Sequence, residues 1–151
     1  MIHYHHVKTF SQNDVPLYLN LYKMLVHLKQ SYPGFTRWYF TKFILGLPKG
    51  QRQIIYATDD NMQIVGLALL KQTPEEDKIC CLWVTKDYRC QGIASQLVCK
   101  SLKALNNPMP KVTVSEESYS EFEQLFKKYG FVLTLIQEDE YIAGKREFHF
   151  N

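Results

Sequence analysis

One junction constrains this chain more than any other stretch. Ile79 to Val84 is an unbroken apolar run, Thr85, Lys86 and Asp87 form a polar turn, and Ile93, Leu97, Val98, Leu102 and Leu105 then recur at helical spacing. The connection carries Arg89-x-x-Gly92-x-Ala94. A strand that feeds a helix through small residues exposes the first amides of that helix, which have no intrahelical partner and sit at the positive end of its dipole. Gly92 admits backbone angles closed to other residues and leaves no Cβ in the way of a ligand. Ala94 keeps the approach narrow. Arg89 adds a fixed charge whose donor fork suits phosphate. Successive inward N–H groups of this kind cradle a diphosphate, although packing alone also explains small residues at a strand–helix junction.

Two common nucleotide signatures are missing. The glycines do not form G-x-G-x-x-G, and there is no G-x-x-x-x-G-K-[ST] loop. The remaining elements follow from periodicity. Ile2 to Thr9 reads as a strand. Asn13 or Asp14 is placed to cap a helix with Pro16 in its first turn, and Tyr32-Pro33-Gly34 breaks it. A second helix carries Phe35, Trp38, Tyr39 and Phe43 on one face and ends near Gly46.

Gln53 to Thr58 and Gln63 to Gln72 form a hairpin around Asp59-Asp60-Asn61, and Lys78 to Val84 is the third strand of that meander. Being apolar on both faces, it belongs in the centre of the sheet. A helix is expected from about Gln91 to Leu105, a strand from Lys111 to Val114 parallel to Ile79–Val84, and a helix from about Ser118 to Tyr129. Phe131 to Gln137 and Tyr141 to Phe150 read as a closing hairpin. The order β-α-α-β-β-β-α-β-α-β-β describes an α/β fold with a central mixed, mostly antiparallel sheet of about seven strands and helices on both faces.

The chain of 151 residues is expected to be a single domain over 1–151. No apolar run approaches the ~20 residues that span a bilayer, and no signal peptide is evident, so a cytoplasmic protein without membrane contact is expected. Cys80, Cys81, Cys90 and Cys99 lack C-x-x-C spacing and are expected to be reduced. Cys80 and Cys81, adjacent on a strand, should point to opposite faces. His3 and His5 share a strand face, but no carboxylate or cysteine of suitable spacing accompanies them, so no metal site is expected.

The net charge of +3 is uneven. Residues 1–75 hold eight Lys or Arg against four Asp or Glu, and residues 76–151 hold ten against eleven. Arg37, Lys42, Lys49 and Arg52 cluster around the second helix, where they attract an acidic acceptor or an RNA backbone or simply form a solvated face.

The Arg89-x-x-Gly92-x-Ala94 motif after a Leu82-Trp83-Val84 strand resembles the acetyl-coenzyme A signature of the GNAT superfamily of N-acetyltransferases. Leu125-Phe126-Lys127-Lys128-Tyr129-Gly130-Phe131 resembles that family's second motif, a helix ending in Gly-Phe. The resemblance implies a GNAT-like fold and transfer of acetyl from acetyl-CoA, as co-substrate, to a primary amine by direct attack. It further implies a bulged or splayed strand in which Leu82, Trp83 and Val84 face the pantetheine arm, with the Val84 amide as oxyanion donor. Arg89, Cys90, Gln91, Gly92, Ile93, Ala94 and Ser95 would hold the pyrophosphate. The first helix pair would cover the acceptor site, with Arg37, Trp38 and Tyr39 as candidate lining.

The chain departs from the family where a Tyr usually protonates the leaving thiolate, because that place holds Phe126. Tyr119 is the alternative donor. Glu116 and Glu117 follow a short strand where the sheet should open, and Glu116 is the candidate base. The acceptor is a small amine, a protein amine or an RNA-linked amine such as aminoacyl-tRNA. A homodimer is an open arrangement. The competing reading is an acyl-CoA-binding regulatory module that acts through a partner without turnover.

Overall fold

A computed structural model describes all of residues 1–151. Seven strands form one sheet: β1 (His3–Val7), β2 (Arg52–Thr58), β3 (Ile64–Gln72), β4 (Asp77–Val84), β5 (Lys111–Ser115), β6 (Leu133–Glu138) and β7 (Arg146–Phe150). Their spatial order is β1-β2-β3-β4-β5-β7-β6. Every neighbouring pair is antiparallel except β4 and β5, which are parallel, as expected for strands joined by a helix. The closing hairpin folds back so that β7 lies beside β5 and β6 becomes the outer edge.

Helices cover both faces. On one, α4 (Ile93–Leu105) and α5 (Glu116–Lys128) pack on Ile55, Ala68, Leu70, Ile79 and Phe148. On the other, α1 (Val15–Leu25), continued by a 3-10 stretch (Val26–Gln30), packs with a second helix on Ile54, Leu67 and Leu69. That second helix comprises α2 (Phe35–Trp38), a π turn (Tyr39–Phe43) and α3 (Ile44–Gly46). Strand β3, between β2 and β4, is buried from Val65 to Leu70. No helix is long and apolar enough to cross a membrane.

Three local expectations need correction. The cap ahead of α1 is Ser11, whose hydroxyl accepts from Asn13 N at 3.3 Å to hold a 3-10 turn; Asp14 caps nothing with its side chain. Cys80 and Cys81 line the same cavity, because Ile79 pairs with Leu70 and Cys81 with Leu69, leaving Cys80 as the extra residue of a bulge. Strand β4 is central in order, yet Leu82 and Trp83 are only half-buried, because β4 and β5 pair at Lys78–Lys111 and Ile79–Val112 and then part.

The N-terminal histidines tie β1 to its surroundings. His3 bonds Asp60, His5 bonds Thr58 and His6 bonds Gln53, each through Nε2.

Candidate active site

The parting of β4 and β5 opens a V in the sheet, and three cavities meet there. One, about 430 Å³, lies on the α4 and α5 face between Trp83, Arg89, Gly92, Ser95, Glu121 and Phe122. A narrower one fills the V itself, between Cys81, Leu82, Val114, Tyr32 and Phe126. The third, about 290 Å³, opens on the α1 and α2 face. The V shares Trp83, Glu121 and Phe122 with the first cavity and Leu28, Tyr32, Cys80, Cys81 and Thr113 with the third, so it adjoins both.

The first cavity is built mainly from backbone. Cys90 and Gly92 are both left-handed, with φ of 62° and 82°. Alternation of this kind turns successive amides toward one side. The N–H groups of Cys90, Gln91, Gly92, Ile93, Ala94 and Ser95 have no acceptor within the chain; the first amide to close a bond is that of Gln96, to Gly92 O at 3.0 Å. A Cβ built on Gly92 meets nothing within 4 Å, so the space in front of the cradle is open.

Arg89 lies across the cavity. Its Nε donates to Val84 O at 3.0 Å, its Nη1 reaches Glu121 Oε1 at 3.3 Å, and its guanidinium sits 4.6 Å from the Trp83 ring. Lys128 Nζ donates to Ser95 Oγ at 2.9 Å, at the same helix start. Along β4, Thr85 N donates to Val65 O at 2.9 Å. Amides alternate in direction along a strand, so that of Val84 points to the opposite edge, into the V. Thus Leu82, Trp83, Val84, Arg89, Cys90, Gly92, Ile93, Ala94 and Ser95 line these two cavities, whereas the exposed Gln91 lines neither.

The residues considered for proton transfer lie elsewhere. Tyr119 stacks on Phe148 with ring centroids 4.1 Å apart and packs into the core, lining none of the three cavities. Glu116 Oε1 accepts from Arg146 N at 2.7 Å, fastening α5 to β7. Glu117 pairs with Lys145 at 3.2 Å. Tyr129 donates to Ser95 O at 2.8 Å, bracing α5 against α4. Phe126 lines the V but carries no donor. Of the first helix pair, Trp38 lines the third cavity, whereas Tyr39 is fully buried and donates to Tyr18 O at 2.6 Å, and Arg37 stays off it.

The structure supplies a carboxylate that the sequence reading did not single out. Glu147 on β7 is 3 % exposed. Burial pushes its carboxyl above the usual range, against hydrogen bonds from Tyr32 and Thr113 that favour the ionised form. Tyr32 Oη donates to Glu147 Oε2 at 2.8 Å, and burial together with that carboxylate raises the Tyr32 hydroxyl, keeping it protonated. Tyr32 and Thr113 both line the V and the third cavity, so Glu147 sits behind the wall that the two cavities share. Tyr141, its ring 4.9 Å from that of Tyr32, closes this corner, and its hydroxyl is pushed up to about 12 by burial.

The thiols of Cys80 and Cys81 are raised by burial. All four cysteines are free, and no group of three or more His, Cys, Asp or Glu is arranged to hold a metal ion.

Comparison with known proteins is consistent with this architecture. Residues 40–146 match the family model described as an acetyltransferase (GNAT) domain. No curated protein sequence matches the chain. Among solved structures, a GNAT-family acetyltransferase from Bacillus cereus is 21% identical, with a TM-score of 0.66 over 99% of this chain and 95% of its own. The ribosomal-protein-S18-alanine N-acetyltransferase of Escherichia coli is 16% identical, with a TM-score of 0.69 over 99% and 92%. A Bacillus anthracis protein described as a streptothricin acetyltransferase, in complex with acetyl coenzyme A, is 19% identical, with a TM-score of 0.61 over 72% and 65%.

Proposed function

The chain belongs to the GNAT family of acetyltransferases, and from that premise we propose that it transfers the acetyl group of acetyl-CoA to a primary amine by direct attack. The observation that carries the reading is the run of six unpartnered amides, Cys90 to Ser95, beside a cavity that adjoins the V in the sheet. These donors, the open space before Gly92 and the cations Arg89 and Lys128 fit a diphosphate. The parted edge of β4 offers Leu82 to Val84 to a pantetheine arm.

Acetyl-CoA supplies the activated acyl group. The Val84 amide is the donor for the carbonyl oxygen as it gains charge. On the acceptor side, Tyr32 receives a proton from the amine nitrogen and passes its own to Glu147. Attack by that nitrogen on the acetyl carbon releases coenzyme A as its thiolate, which needs no acid from α5; Phe126 in place of the usual Tyr is tolerable on that account. Burial raises the thiols of Cys80 and Cys81, which disfavours their thiolates, and direct attack needs neither as a nucleophile. Glu116 and Tyr119, occupied in packing α5, are given no chemical role.

Thermal melting with and without acetyl-CoA tests the reading. Ligand at 100 times its dissociation constant adds ~2.7 kcal/mol, a rise of roughly 5–10 °C for a chain of this size. Gly92→Glu should abolish the rise by placing a carboxylate in the cradle. Gly92→Ala, whose Cβ meets nothing within 4 Å but must be held at a φ of 82°, should melt lower than wild type and keep a smaller rise. A folded wild type that shows no rise sinks the proposal. A rise without consumption of acetyl-CoA on any amine leaves a binding module in place of an enzyme.

A further inference from the structure

The third cavity has a chemical polarity along its length. Its inner end, shared with the V, carries Tyr32 and Thr113 backed by Glu147. Its outer end carries Arg52, Lys71 and Lys78, which line this cavity and not the V. Of these, Lys71 is neutralised by Glu76 at 2.8 Å. Arg52 and Lys78 have no carboxylate within salt-bridge distance.

Arg52 is also held in place. Its guanidinium lies 5.7 Å from the Trp38 ring and 5.8 Å from that of Phe43, and its Nη1 donates to Cys80 Sγ at 3.4 Å. A guanidinium pre-positioned beside a pair of packed aromatic rings, its charge uncompensated, is built to receive a planar anion at little ordering cost. A cavity of about 290 Å³ is at the lower limit of small-molecule sites.

We infer that the acceptor is a small amine that also carries a carboxylate or phosphate, with its anion on Arg52 and Lys78 and its amine at Tyr32. The inference rests on the acetyl-transfer reading and narrows its acceptor. A simple diamine or polyamine would set a second ammonium against Arg52 and Lys78, a like-charge placement that the cavity rejects. An amine lacking the anion would leave two cations without a partner.

The test uses matched acceptors that differ only in the anion: lysine against cadaverine, phenylalanine against phenethylamine, and phosphoethanolamine against ethanolamine. Carboxylate and phosphate sources are separated by which pair responds. Two readouts are taken on the full chain: release of coenzyme A from acetyl-CoA, and melting of the protein loaded with coenzyme A as each acceptor is added. At least one anion-bearing member should exceed its partner tenfold or more in kcat/KM and should alone raise the melting temperature further. Arg52→Ala with Lys78→Gln should erase both differences while the rise caused by coenzyme A alone persists, which also shows that the variant folds.

Preference for the partner without the anion, response to no anion-bearing amine, or a preference that survives the double substitution would each overturn the inference while the coenzyme A response stands. Absence of the coenzyme A response in wild type overturns the reading beneath it, and the inference with it.

Discussion

The two cavities that meet in the V are built by opposite means. The one on the α4 face is a backbone site: six consecutive amides on a single turn, shaped by two left-handed residues, with one arginine laid across them. The one on the α2 face is a side-chain site, assembled from α2, four strands and the Tyr141 loop, with a buried carboxylate behind it contributed by β7. The contrast suits a division of labour. A ligand part shared by all members of a family is held by groups that every residue possesses, and a variable ligand by side chains that can change one at a time without unmaking the fold. The two halves should therefore fail separately under mutation.

The largest separation is expected at Glu147. Replacing it by Gln keeps the shape and the acceptor for the Tyr32 hydroxyl but removes the proton sink. On the usual scale of general-base catalysis, kcat should fall by about 10²–10⁴, while the melting shift with acetyl-CoA is unchanged. Stability should move the other way. Burial raises the carboxyl in the folded state above its unfolded value. The stability tied to its proton is thus complete below the unfolded value and lost as pH rises through the folded one. At pH 8 the ionised carboxylate burdens the fold, so Glu147→Gln should melt higher than wild type at pH 8, with the gain vanishing in acid. Unchanged kcat would remove Glu147 from the chemistry.

Tyr32→Phe should act in the same half with smaller effect. It deletes the hydroxyl facing the amine and a hydrogen bond that favours ionised Glu147. Activity falls as pH drops because the base becomes protonated. Without the Tyr32 bond, the carboxyl titrates at still higher pH, so the acid limb of the kcat/KM profile should move upward, with kcat lower by about 10²-fold, the low end of the scale for proton-transfer groups. An acid limb that stays in place would show that Glu147 and Tyr32 do not share the proton.

The same contrast explains what was legible in the chain. Arg89-x-x-Gly92-x-Ala94 lies within six residues, and its geometry is local, so strand, turn and helix could be read together with the amides they expose. The order of elements was legible because each carries its own period. Glu147 and Tyr32 are 115 residues apart and meet only because the closing hairpin returns β7 to lie beside β5. The local signal was slight: Arg146-Glu147-Phe148-His149-Phe150 alternates like any half-exposed strand, yet Glu147 is buried on the face opposite Phe148. Glu116 was the more visible carboxylate, but its place at the start of α5 draws it to the Arg146 amide instead. Pairing of Cys80 and Cys81 on one cavity depends on a bulge, and nothing in the two residues themselves announces an extra residue in the register.

The smallest effect should come from Gly46, which touches neither ligand. A Cβ there would stand 2.6 Å from Arg52 Cγ and 3.3 Å from its Nε. The arginine must then swing away from Trp38 and Phe43, losing cation–π contacts worth about 0.5–1 kcal/mol each at exposed sites. Gly46→Ala should raise the acceptor KM by roughly three- to tenfold, in line with that loss, while kcat and the acetyl-CoA melting shift stay as in wild type. Melting alone should show little, because Ala in a helix gains up to ~1 kcal/mol over Gly and offsets the displaced contacts. An acceptor KM that rises in Arg52→Ala but not in Gly46→Ala would show that the cavity needs the charge of Arg52 without its fixed position. The side-chain half of the site would then be less rigidly built than the backbone half it faces.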